Sequence, residues 1–287
     1  MSTRQDWLLA RRSGIGASES AALFGLHPYI SALSLYESKI RDTPEPDDDE
    51  NERMEDGKVI EPRIAARYAK ATKRTVLDSP GLVAHPKMKH LLCTPDRMTM
   101  GDGHGLMPLE LKWLENYSKG DEVPEYIQVQ IQHQIAALEA DEGSVAILGS
   151  WRSFDYKDIP RHPEFIALLM EKVDEFWRRV QERRPPDADG STATAEALRR
   201  LYPRDSGATI FLPAEAATWA AELETAKAAA KQAKALEDHA KNRIMAAIGD
   251  ATFGTLPDGT KFSLKAQRRE AYTVDAAEFR VLRRVKK

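Results

Sequence analysis

Residues 91–112 read LLCTPDRMTMGDGHGLMPLELK, and the reading of this stretch decides the fold. Leu91–Met100 and Leu106–Lys112 have the length and composition of two short strands, and the glycine-broken segment from Gly101 to Gly105 supplies a hairpin turn between them. In Leu109-Glu110-Leu111-Lys112 the side chains of a strand alternate, so Glu110 and Lys112 share one face while Leu109 and Leu111 take the other. If the two strands pair across the turn, Asp96 reaches the face that carries Glu110 and Lys112. Two carboxylates and an ammonium then meet at one point.

Two hard carboxylate oxygens suit Mg2+, which binds one or two acids and keeps its other positions for water and substrate phosphate. A lysine beside such an ion can orient an attacking water, or help to deprotonate it, and offset charge that builds up on a phosphoryl group. Pro95-Asp96 followed by Glu110-Leu111-Lys112 is similar to the signature of the PD-(D/E)XK nucleases. On these residues alone the other reading is as good: a solvated acid at a strand end and an ordinary Glu/Lys alternation.

Further segments tip the balance. They are Arg11-Arg12-Ser13-Gly14-Ile15-Gly16-Ala17-Ser18-Glu19, Gly25-Leu26-His27-Pro28-Tyr29, Gly57-Lys58-Val59-Ile60-Glu61-Pro62, and Val123-Pro124-Glu125-Tyr126 leading into Gln130-Ile131-Gln132-His133-Gln134. In this order and spacing, roughly over residues 5–185, the chain resembles the YqaJ-type viral recombinase family and, more distantly, lambda exonuclease. The resemblance implies an α/β fold, a PD-(D/E)XK restriction-endonuclease-like core with a mixed central sheet flanked by helices. It implies a Mg2+ site (Mn2+ substituting) held by Asp96, Glu110 and the Leu111 backbone carbonyl. Glu61 would hold or orient a second ion or its water, Lys112 would position the nucleophilic water, and Gln130 would stand beside the lysine. Arg11, Ser18 and Thr94 would bind the 5′-phosphate of a DNA end, with Arg12 able to take the place of Arg11.

The activity so implied is 5′-to-3′ exonuclease digestion of double-stranded DNA ends, leaving 3′ overhangs for phage-type homologous recombination. Relatives of this kind work as ring-shaped trimers and cooperate with a single-strand annealing protein, so a homo-oligomer and such a partner are expected. Two other functions fit the same residues: a structure-specific or nicking endonuclease on the same core, and a non-catalytic module that binds DNA ends.

Read without the resemblance, the N-terminal motif is a helix start. Ser18 can cap a helix running to about Phe24, and the backbone N–H groups there, with an arginine nearby, suit a phosphate. On the residues alone, an ordinary N-cap with two surface arginines is the better reading.

Composition limits the alternatives. The chain has 287 residues, 42% apolar and 30% charged, enough for one good core and an appendage. No apolar run has the length of a membrane span, and STRQDWLLARR near the start lacks the core of a signal peptide. A cytoplasmic protein is expected, in the host bacterial cytoplasm if phage or prophage encoded. Cys93 is the single cysteine, which excludes an intrachain disulfide and a cysteine-built zinc or iron–sulfur site. The formal net charge of −3 means that any contact with DNA is local rather than spread over the surface.

In chain order, residues 4–12 and 30–41 read as helices, and the acidic segment 43–56 as a solvated loop. Residues 55–74 read as a helix with Val59, Ile60, Ile64, Ala65 and Tyr68 on its buried side, its regular part beginning near Pro62. A strand is expected within Thr75–Val83. Pro124–Ala140 reads as a helix in which Ile127, Ile131 and Ile135 pack while Gln130 and Gln134 share a face turned to something polar; a plain polar outer face suits Gln128, Gln132 and Gln134 as well, and Gln130 less. Ser144–Ser150 reads as a buried strand, Trp151–Ile159 as the next, and Pro163–Arg184 as an amphipathic helix.

The expected domains are a nuclease domain at 1–186, a linker at 187–212, and a C-terminal extension at 213–287. The extension comprises a long helix to Ile248, with a coiled-coil-like seam through Trp219, Leu223, Ala226, Ala230, Ala233, Ala240 and Ile244, then a hairpin turning at Asp258-Gly259. Packing or oligomerisation is the role expected of the helix. The basic tail at 283–287 is left open.

Overall fold

The computed structural model describes residues 10–41, 52–100, 105–149, 153–270 and 280–284. The expected helix at 4–12, the turn at 101–105, most of the acidic loop and the end of the basic tail lie wholly or largely outside these residues. The chain divides into two units, residues 1–203 and 204–287.

The first unit is built on a five-stranded sheet in the order β2-β5-β6-β7-β8. These strands are β2 (Val76–Asp78), β5 (Arg97–Met100), β6 (Leu106–Trp113), β7 (Glu142–Leu148) and β8 (Phe154–Pro160). Neighbours run antiparallel except β6 and β7, which are parallel, so the sheet is mixed. A smaller sheet joins β1 (Ile15–Gly16), β4 (Leu91–Cys93) and β3 (Val83–Ala84), with β1 and β4 parallel.

The stretch that decides the fold is therefore paired as expected at Arg97↔Leu109 and Thr99↔Met107, with one correction. Leu91–Met100 is two strands, not one. The chain leaves the small sheet after Cys93, and Thr94-Pro95-Asp96 carries it into the large one. Proline supplies no ladder donor, which breaks the strand there, and the Ser79 hydroxyl pins the crossing by donating to the Pro95 carbonyl at 2.6 Å.

Helices cover both faces of the large sheet. On one side α2 (Glu52–Thr72) sets Ile64, Ala65 and Tyr68 against Leu109, Leu111, Ala146 and Leu148. On the other side α3 (Glu125–Ala137) makes the crossover between β6 and β7 that a parallel pair requires. It packs with α1 (Ala32–Ile40), α4 (Pro163–Gln181) and a short 3₁₀ helix (Ala17–Phe24) around Ile127, Ile131, Ile135, Val145 and Ile147.

Four expectations are corrected. α2 already includes residues 52–56 and carries Pro62 inside it, so the acidic loop is shorter than expected and the helix does not begin at the proline. Proline lacks only its own N–H, and at Pro62 the interruption is tolerated within a long helix. Val59 is 81% exposed, so the buried stripe of α2 starts at Ile60 and Ile64. The segment expected as a linker contains α5 (Thr192–Leu201), which packs on α1, buries Ala197 completely and joins Thr194 Oγ1 to Ser31 Oγ at 2.8 Å. Finally, α3 is buried nearly all round, Gln132 and Gln134 included, rather than presenting a polar outer face.

The second unit holds α6 (Ala216–Ile248), stopped at Gly249 in a positive-φ conformation (φ 61°), and a hairpin of β9 (Phe253–Thr255) and β10 (Lys261–Ser263). The helix and hairpin stand where the sequence places them. No residue of α6 is buried, and the seam residues Trp219 and Leu223 are exposed.

Candidate active site

The site grows from the place where β5 ends and β6 continues. β5 begins at Arg97, opposite Leu109, so the backbone N–H of Leu111 has no strand partner on that side. The Asp96 carboxylate takes it instead, with Oδ2 accepting from Leu111 N at 2.8 Å. This bond fixes Asp96 on the edge of β6 at the level of Glu110 and Lys112. Strand alternation does the rest. Leu109 and Leu111 turn toward α2, and Glu110 and Lys112 turn toward α3, where Lys112 Nζ lies 2.7 Å from Glu110 Oε1.

Glu110 is only 2% exposed, and a buried carboxylate must be satisfied. Two amides on successive turns of α3 do this: Gln130 Nε2 donates to Oε1 at 2.6 Å and Gln134 Nε2 to Oε2 at 2.7 Å. Both are charge-assisted bonds. Gln130 stands where the resemblance puts it. For Gln134 the sequence leaves a polar outer face open beside the face it shares with Gln130, and the structure takes the shared face. Its i,i+4 spacing from Gln130 was the signal that placed the two on one face.

Burial pushes the Asp96 carboxyl well above the usual carboxylate range. The charge of Glu110 pushes the same way, as does that of Glu61 to a smaller degree, against Lys112 and the Leu111 N–H. Burial would lower the Lys112 ammonium, but the Glu110 and Asp96 charges outweigh it and raise its pKa. The lysine therefore carries its proton. The His27 and Tyr126 side chains feel the Lys112 charge as well, and their rings meet edge-on at 6.3 Å.

The donor set fits a hard divalent cation. Asp96 and Glu110 are crowded, desolvated carboxylates whose mutual repulsion a cation would relieve, and all the donors are oxygen. Glu61, half-buried on α2, acts on Asp96 electrostatically, yet among the described residues no three His, Cys, Asp or Glu side chains converge on one point. Two acids leave the other positions of such an ion to water and substrate oxygens.

The N-terminal motif forms a second cluster. Arg11 Nη2 donates to Ser18 Oγ at 2.9 Å, and Arg11 Nε lies 3.5 Å from Glu19 Oε1. Ser18 is not the helix cap. Gly16 holds that position, and its N–H donates to Glu19 Oε2 at 2.8 Å. Glu19 also receives Lys39 Nζ at 2.8 Å. Burial would raise the Glu19 carboxyl, but Lys39, Arg11 and the Gly16 N–H hold it below its ordinary value. Glu19 and Lys39, both missed in the sequence, are the buried pair under Arg11. Thr94 is exposed just beyond β4, and the Gly16↔Leu92 register brings that strand end alongside the start of the 3₁₀ helix.

The profile of the YqaJ-like viral recombinase domain matches residues 6–141. Protein YqaJ of Bacillus subtilis (strain 168) is 28% identical over 207 residues, spanning 70% of this chain and 64% of that relative. The chain thus spans less than two thirds of that relative's length. Among solved structures, the alkaline exonuclease LHK-Exo of Laribacter hongkongensis superposes with a TM-score of 0.51 at 22% identity, covering 69% of this chain and 97% of that one. The same protein in complex with dAMP gives the same values, and at this identity the likeness speaks for the fold. The mixed sheet with helices on both faces shares its fold with that exonuclease, and residues 6–141 of the chain match the YqaJ-like viral recombinase domain.

Proposed function

We propose that this protein is a metal-dependent DNA exonuclease that digests double-stranded ends in the 5′-to-3′ direction and leaves 3′ overhangs for phage-type homologous recombination. The observation that carries the reading is the meeting of Asp96, Glu110 and Lys112 on one edge of β6, with Glu110 gripped by Gln130 and Gln134. The family match and the fold shared with an alkaline exonuclease support it. LHK-Exo has been solved with dAMP, a nucleoside monophosphate such as this reaction would release.

Asp96, Glu110 and the Leu111 carbonyl would hold Mg2+, for which Mn2+ would substitute, and Glu61 would hold or orient a second ion or its water. Bound there, the ion supplies polarisation of the phosphoryl oxygens and charge stabilisation at the leaving oxygen. Gln130 and Gln134 keep the Glu110 carboxylate in one orientation. The Lys112 ammonium holds the attacking water by hydrogen bonding and offsets negative charge on the phosphoryl group. Water oxygen bonds to phosphorus, the bond from phosphorus to the 3′-oxygen breaks, and that oxygen leaves with a proton. A mononucleotide is released and the next nucleotide keeps a 5′-phosphate. Arg11 and Ser18, with Thr94, bind that phosphate and set the chain for the next cut. A ring-shaped homotrimer working with a single-strand annealing protein belongs to the same proposal.

The test is nucleotide release from linear duplex DNA with Mg2+, comparing 5′-phosphate with 5′-hydroxyl ends and wild type with Lys112→Ala. Release that needs the phosphate and is lost in the variant is the expected result. Release indifferent to the 5′ group would keep the nuclease but point to an endonuclease or the other polarity, and cleavage of circular DNA would establish the endonuclease. Absence of any Lys112-dependent release would remove the enzyme reading.

A further inference from the structure

An exonuclease that releases mononucleotides has one nucleotide between the 5′-phosphate it grips and the phosphodiester it cuts. The base of that nucleotide has to lie somewhere, and three aromatic rings stand close to the Lys112 end of the site. His27 and Tyr29 come from the turn between the 3₁₀ helix and α1, and Tyr126 from the first turn of α3. The His27 ring meets Tyr29 at 6.2 Å and Tyr126 at 6.3 Å, edge-on in both cases. Tyr126, Gln130 and Gln134 follow one another at i,i+4 spacing, so Tyr126 lies one turn before the amides on the face of α3 that grips Glu110. The Lys112 charge is felt by His27 and by Tyr126, and His27 also feels Glu19, the buried acid of the N-terminal cluster. The rings are thus near both groups that the proposed chemistry assigns to the two ends of one nucleotide.

The turn that carries two of them is rigid. His27 Nδ1 accepts from Tyr29 N at 3.1 Å and from Ile30 N at 2.9 Å. An imidazole nitrogen that accepts carries no proton, so this ring is neutral with its proton on Nε2. Burial and the Lys112 charge act in the same sense and hold its pKa below the ordinary value, against Glu19. Pro28 restricts the backbone between the two rings. Ser31 then caps α1, with Oγ accepting from Ser34 N at 3.0 Å. Packing accounts for His27 and Tyr126, which are half-buried. It does not account for Tyr29, which is 74% exposed. A bulky ring kept in water on a fixed backbone, beside other rings, has lost little freedom left to lose on stacking.

We infer that Tyr29, together with His27 and Tyr126, forms a nucleobase subsite on which the unpaired base of the 5′-terminal nucleotide stacks while its phosphodiester lies at Lys112. The inference rests on the proposed exonuclease reading and adds to it a hold on the base. Every base has a π-face, so such a subsite accepts all four. A base must leave its partner to enter, so the contact favours an opened terminal pair.

The experiment is anisotropy of a 5′-phosphorylated duplex bound to the full chain in EDTA. Its 5′-terminal nucleotide is either ordinary or abasic, and wild type is compared with Tyr29→Ala and Tyr29→Phe. The ring is exposed, so melting temperatures should stay close to wild type. Tyr29→Ala should weaken binding of the ordinary end on the order of tenfold, the usual effect of removing one stacking ring, and Tyr29→Phe should bind as wild type does. On the abasic end all three proteins should bind alike. A Tyr29→Ala loss of equal size on both ends, or no loss on the ordinary end, would overturn the inference. Failure of the nuclease reading would look different: no Lys112-dependent release in wild type, with the base-dependent Tyr29 effect intact, would keep the subsite as part of an end-binding module.

Discussion

Gln134 donates from Nε2 to Glu110 Oε2 at 2.7 Å across 24 positions of sequence, on the oxygen opposite the one that Gln130 and Lys112 share. This second amide restrains rotation of the carboxylate. Gln134→Leu should weaken divalent-ion affinity and activity by roughly 10–100-fold, the usual effect of removing a partner behind a metal-binding group. Mn2+ titration by calorimetry without DNA, alongside Mg2+ dependence of kcat, would measure it. Unchanged ion affinity in a folded variant would sink this role.

Arg11 and Ser18 should govern end recognition rather than chemistry. Arg11→Gln is expected to reduce the preference for 5′-phosphate over 5′-hydroxyl ends. A charge-assisted bond is worth about 1.5–3 kcal/mol, so the loss should be on the order of tenfold to a hundredfold. Ser18→Ala, which removes the acceptor of Arg11 Nη2, should act in the same direction to a smaller degree. Rates on the two kinds of end, measured at several DNA concentrations, decide it. A fall that is equal on both ends would place these residues elsewhere in the mechanism.

Gly14 touches the β1–β4 pairing at its tightest point. A Cβ there would lie 2.4 Å from the His90 carbonyl oxygen, the atom that accepts from Ile15 N at 2.8 Å. Backbone must move to admit it, so Gly14→Ala should destabilise the protein by about 1–3 kcal/mol and should also blunt the preference for 5′-phosphate ends. Chemical denaturation reads the first effect. Gly25→Ala meets no atom but a left-handed backbone, and it should leave end preference intact.

His133, fully buried on α3, gives the pH dependence a sign. Burial lowers its pKa from 6.5 to about 4, against the Leu92 backbone and the Glu19 charge, which raise it. The folded protein then binds fewer protons than the unfolded chain between these values. The stability is fully present above about pH 6.5 and is lost as pH falls toward 4, by up to about 3 kcal/mol. His133→Leu should flatten that part of the stability profile, as measured by denaturant midpoints from pH 7 to 4. A variant with an unchanged profile would show that other groups set it.

Legibility followed sequence distance. Asp96, Glu110 and Lys112 are neighbours through a hairpin, and strand alternation is enough to bring them together. Their amide supports come from another element, and Gln130 was reached through the family resemblance rather than by pattern. Gln134 shares a face with Gln130 by spacing alone, but the burial of Gln132 was hidden because α3 is covered nearly all round, and such a helix defeats amphipathic reading. Glu19 and Lys39 look like surface charges until the 3₁₀ helix and α1 close over them. α5 was hidden by composition, since its Ser, Thr and Ala residues read as linker, yet Ala197 is small enough to let the helix sit close against α1. Val59 erred the other way, as an apolar residue that faces outward.

The crossover helix has a consequence for when the protein becomes dangerous. The acids can assemble as soon as β5 and β6 pair, but the amide fork reaches Glu110 only after α3 has folded back and β7 has docked beside β6. Until then the carboxylates lack the restraint on which the proposed chemistry depends. On the proposed reading, an incompletely folded chain would lack that restraint, and activity would arrive only with completion of the fold.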